Sequence, residues 1–148
     1  MLKTFFNNTD INFEISDDIL SAMWSKFAFN CCVNQISAIT GYNFEQMKSN
    51  QICIDLMRKI TDEISKIANK MNINDYDEFF VRVINSLNLM IPDGKTSMLQ
   101  DIEAENMTEI NALGKTVVRL GKKFNINTPY NRVISDIIEM KNNFIYNK

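Results

Sequence analysis

The chain has 148 residues, of which 45% are hydrophobic, 10% aromatic and 23% charged. That suits one globular domain or two very small ones, and excludes a large multidomain enzyme and a disordered or collagen-like chain. Sixteen basic residues against eighteen acidic ones leave a net charge of −2, without the basic surplus that drives binding to phosphate backbones. Nucleic acid is therefore not an expected partner. The chain contains no histidine, which removes Ser-His and Cys-His mechanisms, histidine metal cages and imidazole pH switches. Chemistry here must rest on Lys, Asp, Glu, Tyr, Ser or Asn.

Three cysteines, Cys31, Cys32 and Cys53, are an odd number, and an adjacent pair bridges only through a strained ring. A reduced, cytoplasmic protein is the simplest expectation, with Cys31 and Cys32 filling core as small hydrophobes. The N-terminus lacks a long apolar run, so neither secretion nor a membrane span is expected.

Four glycines and two prolines leave long stretches unpunctuated, which favours helices. Residues 1–15 are the exception, with Ile11, Phe13 and Ile15 alternating with polar residues as in an extended segment. Ser16 is the expected N-cap of a first helix that is long and mostly buried. It carries Ile19, Leu20, Met23, Trp24, Phe27, Ala28 and Cys31 at helical spacing and closes at Gly41. A second helix is predicted from about Asn50 to Asn72, a residue that tolerates the left-handed conformation. A third starts near Asp75 and stops before the turn signal Ile91-Pro92-Asp93-Gly94. Thr96 or Ser97 can cap a short helix through Asp101, Thr108 a helix over 109–124, and Thr128-Pro129 introduces a last helix over 130–146. The sum is an all-α domain of five or six helices over 16–148, approached by an extended segment over 1–15.

Polarity sits in an unexpected place in the first helix. Steps of four stack Lys26, Asn30 and Asn34, drifting about 40° per step, so one side presents an ammonium and two amides. A solvated stripe is the plain alternative. However, asparagine is a mediocre helix former and the flanks are apolar, which points to a stripe lining a cleft. Farther on, hydroxyls at Ser97 and Thr108 mark helix starts, where backbone N–H groups suit a carboxylate. Capping alone is the more economical local account of both, with Glu109 answering the helix dipole. Asp17-Asp18 and Asp101 with Glu105 read as helix-end charges rather than a metal site.

Together these residues resemble the C-terminal domain of the ketopantoate reductase (2-dehydropantoate 2-reductase) family. The likeness covers nearly the whole chain from about Ile15. It rests on Trp24-x-Lys26-x-x-x-Asn30-x-x-x-Asn34, on Ser97-Met98-x-Gln100-Asp101 with Thr108-Glu109-Ile110, and on Thr128-Pro129-Tyr130-Asn131. It implies the multi-helix fold shared with the C-terminal domain of 6-phosphogluconate dehydrogenase. It also implies a reductase that moves hydride from NADPH to a 2-oxoacid, ketopantoate in pantothenate biosynthesis for the best-known members. On the matching positions Lys26 is the general acid, Asn30 and Asn34 hold the substrate, Ser97 binds its carboxylate end and Glu109 contacts the nicotinamide side. Asn72 stands where the family often has glycine, and Asn43 lies in the loop where members carry a polar residue.

The family's Gly-x-Gly-x-x-Gly fingerprint of an N-terminal Rossmann domain is absent from these residues. Residues 1–15 then read as the tail of that domain or a linker, 16–148 as the substrate-binding and dimerisation-type half, and the chain alone as inactive. The partners expected are the Rossmann domain, a small 2-oxoacid and a second copy in a homodimer. The alternative is a non-catalytic helical interaction module derived from the same family, to whose exposed apolar face Trp24, Phe27, Phe29 and Met98 can contribute, although core packing is the more economical use of most of them.

Overall fold

The computed structural model describes Phe5, Phe6, Thr9 and residues 16–147. The extended pattern expected at Ile11, Phe13 and Ile15 lies outside the described residues. Among the described residues every regular element is helical.

The first helical rod is interrupted. Helix α1 (Ile19–Phe29) runs into a π-helical turn (Asn30–Asn34) and then into α2 (Gln35–Thr40), which stops at Gly41 with φ 76°. Glycine carries no Cβ penalty there, so the expected stop holds. The cap at the other end is Asp18, not Ser16: its carboxylate accepts the Ser21 N–H at 3.0 Å and the Asn74 amide at 2.7 Å. These hydrogen bonds hold its carboxyl below the usual carboxylate range. Asp17 and Asp18 therefore lie before the helix, not inside it. Nor is the rod mostly buried from its start. Ile19, Leu20 and Met23 are exposed, whereas residues 31–38 are all buried.

A short helix absent from the sequence expectation follows, α3 (Phe44–Ser49). Asn43 and Gln46 form a reciprocal capping box at its start, at 2.9 Å in both directions. That engages Asn43 as a cap. Helix α4 (Gln51–Lys70) matches expectation, with Asn50 accepting the N–H groups of Ile52 and Cys53. It ends in a Schellman motif: Ile73 N–H reaches the Ala68 carbonyl and Asn72 N–H the Asn69 carbonyl, with Asn72 left-handed at φ 55°. A single 3₁₀ turn (Tyr76–Glu78) leads into α5 (Phe79–Leu89), which packs against α1 and α4.

Helix α6 (Ser97–Glu103) is capped by Thr96, whose hydroxyl accepts the Leu99 N–H at 3.2 Å. It packs against the π turn and α2. Thr108 does not cap a helix. It clamps its loop to the last helix, its N–H donating to Asn142 Oδ1 at 3.2 Å and its hydroxyl accepting from Asn142 Nδ2 at 3.1 Å. Helix α7 (Gly114–Phe124) begins only at Gly114, where an added Cβ would collide with Ser135 Oγ and Gln35 Oε1. Helix α8 (Pro129–Tyr146) follows with Pro129 in its first turn, as expected.

The N-terminus of α8 is closed from a distance. Glu63 on α4 is 4% exposed and accepts from the Tyr130 N–H at 2.9 Å, the Asn131 N–H at 3.0 Å and the Asn131 amide at 2.7 Å. A buried carboxylate thus satisfies the orphan donors and positive end of a helix whose own Thr128 makes no side-chain cap. Glu63→Ala should lower the free energy of unfolding by about 2–4 kcal/mol in urea denaturation. A loss below about 0.5 kcal/mol would show that the contact carries no weight.

Candidate functional site

The π turn governs the side chains singled out by the sequence. Over four residues an α-helix overshoots a full circle, whereas the wider i→i+5 turn falls short of one. Asn34 therefore swings back toward the meridian of Lys26 instead of drifting past Asn30. The three positions form a gradient of burial: Lys26 is exposed in the last turn of α1, Asn30 is half-buried, and Asn34 is 5% exposed in the π turn against which α6 packs.

Ser97 is exposed at the first position of α6. Since α6 packs against the π turn, Ser97 and the two asparagines stand on touching elements. Glu109 is exposed in the loop before α7, and its charge is felt at the Cys31 thiol inside the π turn. Lys26 stands one turn before Asn30. Beside it, Leu20, Met23, Trp24 and Phe27 of α1 and Thr116 and Leu120 of α7 line an apolar groove of about 260 Å³.

The five side chains share a property. Lys26, Asn30, Asn34, Ser97 and Glu109 make no side-chain hydrogen bond or ion pair among the described residues. Neighbouring polar groups are engaged. Ser25 donates to the Ser21 carbonyl, Arg82 reaches both Ser21 and Ser25 at 3.2 Å and pairs with Asp75 at 2.9 Å, and Gln35 and Ser135 are bonded in the core. Among the described residues the buried side-chain atom left without a partner is Asn131 Oδ1, so the Asn34 amide, in a residue 5% exposed, keeps its polar atoms open to solvent or a ligand. No group of three or more Cys, Asp or Glu among the described residues is placed to hold a metal.

Two residues missed by sequence reasoning hold the turn in shape. Gln35, wholly buried, donates its amide to the Cys31 carbonyl at 2.5 Å, and its Oε1 faces Ser135 Oγ at 3.4 Å. Their only sequence signal is polarity inside an apolar run opposite Gly114. Met98 is fully buried, which agrees with core packing and withdraws it from the exposed face of the alternative reading, while Trp24, Phe27 and Phe29 are half-buried.

Against this geometry, the profile of the family described as ketopantoate reductase PanE/ApbA C terminal matches residues 18–142. The chain belongs to the ketopantoate reductase family, in the part that forms the helical C-terminal domain. The 2-dehydropantoate 2-reductase of Aquifex aeolicus is 27% identical over 147 residues, covering 97% of this chain and 47% of that protein. The ternary structure of D-mandelate dehydrogenase with NADH and anilino(oxo)acetate is similar with a TM-score of 0.89 at 23% identity, over 98% of this chain and 48% of that one. A PanE/ApbA family ketopantoate reductase from Ralstonia eutropha follows with a TM-score of 0.83 at 24% identity, over 98% and 48%. The chain spans about half the length of the curated relatives it matches. Among the described residues, no helix is long and apolar enough to cross a membrane.

The three cysteines are buried free thiols. Burial, with the neighbouring Cys32 and the Glu109 carboxylate adding to it, raises the Cys31 thiol well above its ordinary 9.0. Burial pushes Cys32 up to about 12, the Thr61 hydroxyl offsetting part of the effect. As pH rises, the unfolded chain sheds these protons before the folded one does. Their contribution to stability is thus intact below about pH 9 and is lost as pH rises through the folded values, by about 1.4 kcal/mol per pH unit for each thiol. In reducing buffer, unfolding free energy should fall above about pH 9, and less steeply in Cys31→Ala/Cys32→Ala. Identical slopes would contradict this assignment.

Proposed function

We propose that this chain is the substrate-binding half of an NADPH-dependent 2-oxoacid reductase, working against a Rossmann-type nucleotide-binding domain that these residues do not contain. The observation that carries the reading is the set of five side chains at the family's motif positions that bond to no described residue, with Asn34 in the buried π turn and Lys26 exposed one turn earlier. The 2-oxoacid class accords with the 2-dehydropantoate and the anilino(oxo)acetate named for the relatives.

A nicotinamide cofactor, when bound, supplies the hydride. This chain lacks the glycine-rich loop that cradles a dinucleotide pyrophosphate. Its fitting contribution is Glu109, whose free carboxylate can accept the N–H of a carboxamide. The remaining work falls to side chains here. Asn30 and Asn34 orient the substrate from a helix fixed in the core, which is where rigid positioning is most effective. Ser97 receives the acid end from the neighbouring helix. Charge then builds on the substrate's carbonyl oxygen, and Lys26 Nζ stabilises that oxygen and donates the proton that completes the alcohol. Its exposure lets solvent return the proton.

A second reading, a non-catalytic interaction or dimerisation module, draws on the exposed Ile19, Leu20 and Met23 beside the apolar groove of α1 and α7.

The 148 residues alone should not oxidise NADPH in the presence of ketopantoate, and steady turnover by the purified chain would overturn that expectation. In a protein that joins this half to a nucleotide-binding domain, Lys26→Ala should lower kcat about 10²-fold or more while leaving the melting temperature in place. An unchanged kcat would remove Lys26 from its role.

A further inference from the structure

At the far end of α7 from Glu109, about 16 Å along the helix, a depression of about 260 Å³ lies between the last turn of α7 and the start of α8. Its lining brings two cations together with uncharged polar groups. Lys122 and Arg132 line it without any ion pair or side-chain hydrogen bond among the described residues, Asn125 and Asn127 add two amides, and no carboxylate reaches it. At its back is Thr128, 5% exposed, whose hydroxyl caps nothing and bonds to nothing among the described residues. Gly121 makes room for that side chain, because a Cβ there would come within 2.7 Å of Thr128 Cγ2.

Two local roles account for part of this. Lys122 sits in the last turn of α7, where a cation answers the helix dipole, and Asn125 is the left-handed residue that ends the helix. Neither explains Arg132, Asn127 or the Thr128 hydroxyl, which belongs to a residue lining the depression and bonds to no described residue. The positive end of α8 is not what makes the depression attractive to anions, because Glu63 already occupies it from inside. In contrast, Lys115 on the same helix is neutralised by Asp136 and Glu139, which raise its ammonium above the usual range through their hydrogen bonds. Lys122 and Arg132 share an adjoining depression with Asp136, but Asp136 pairs with Lys115, and neither of the two cations forms an ion pair among the described residues.

We infer that this depression is a binding site for a phosphate-type dianion. Lys122 and Arg132 match its two charges, and Thr128, Asn125 and Asn127 donate to its oxygens. Charge-assisted donors of this kind converging on one small volume suit a tetrahedral oxyanion, either free or carried on an organic molecule.

The test is a titration of the isotopically labelled 148-residue chain, followed by amide NMR, with inorganic phosphate, adenosine monophosphate and adenosine, each at constant ionic strength set with chloride. Phosphate should shift the amides of Gly121 and residues 125–128 along saturable curves, and adenosine should not. Tighter binding of the nucleotide identifies a carried phosphoryl group as the ligand, and equal or weaker binding identifies the free ion. Lys122→Gln and Arg132→Gln, both at exposed positions, should each raise Kd about tenfold or more with the rest of the spectrum unchanged, and Thr128→Val should raise it several-fold. Shifts that do not saturate, that chloride reproduces, or that persist in the doubly substituted chain would overturn the assignment.

Discussion

The constraint on which the rest of the structure depends is the π turn at Asn30–Asn34 inside the buried rod. A turn of this kind carries one residue more than an α turn and is tolerated only where its surroundings enforce it. Here the enforcement is polar as well as apolar. Gln35 reaches back to the Cys31 carbonyl, Ser135 stands between Gln35 and the Asn131 carbonyl, and Asn131 is held by Glu63. Gly114 lets α7 approach this group where any side chain would collide. The contacts run from α2 through α8 to α4, so the shape of one turn is fixed by three helices at once.

That fixity gives the candidate site its character. Asparagines on an ordinary surface helix are mobile and hydrated, and little would be gained by ordering them. On a turn whose Asn34 is buried and whose next residue, Gln35, is bonded in the core, the backbone carrying the amides is packed in place, which lowers the cost of ordering them on a ligand. Lys26, just outside the covered region, keeps access to solvent. Under the proposed function, the burial gradient along three residues assigns positioning to its buried end and proton delivery, which needs exchange with water, to its exposed end.

Much of the fold was legible because local chemistry and global packing agree. Gly41, Asn50, Asn72, Thr96 and Pro129 each mark the helix end that their backbone preferences suggest. What could not be read came from contacts distant in sequence. Glu63 sits mid-helix beside Asp62 like a solvated residue, and only the arrival of α8 turns it into a cap. Thr108 looks like an N-cap, yet its partner is Asn142. The capping box of Asn43 and Gln46 was present in the letters, on a helix too short for periodicity to reveal. Of the site, the letters supplied the residue types and spacing. That the five side chains bond to no described residue, and that a π turn carries two of them, is seen only in three dimensions.

Under the proposed function, Lys26, Asn30 and Asn34 converge on one substrate with Ser97. The most direct measurement is a crystal structure of this half joined to a nucleotide-binding domain, with oxidised cofactor and a bound 2-oxoacid. The account predicts Lys26 Nζ within hydrogen-bonding reach of the keto oxygen, about 2.6–3.2 Å, with an asparagine amide and the Ser97 hydroxyl on the same molecule. A 2-oxoacid ordered elsewhere, with Lys26 facing open solvent and Asn34 still unpartnered, would contradict it.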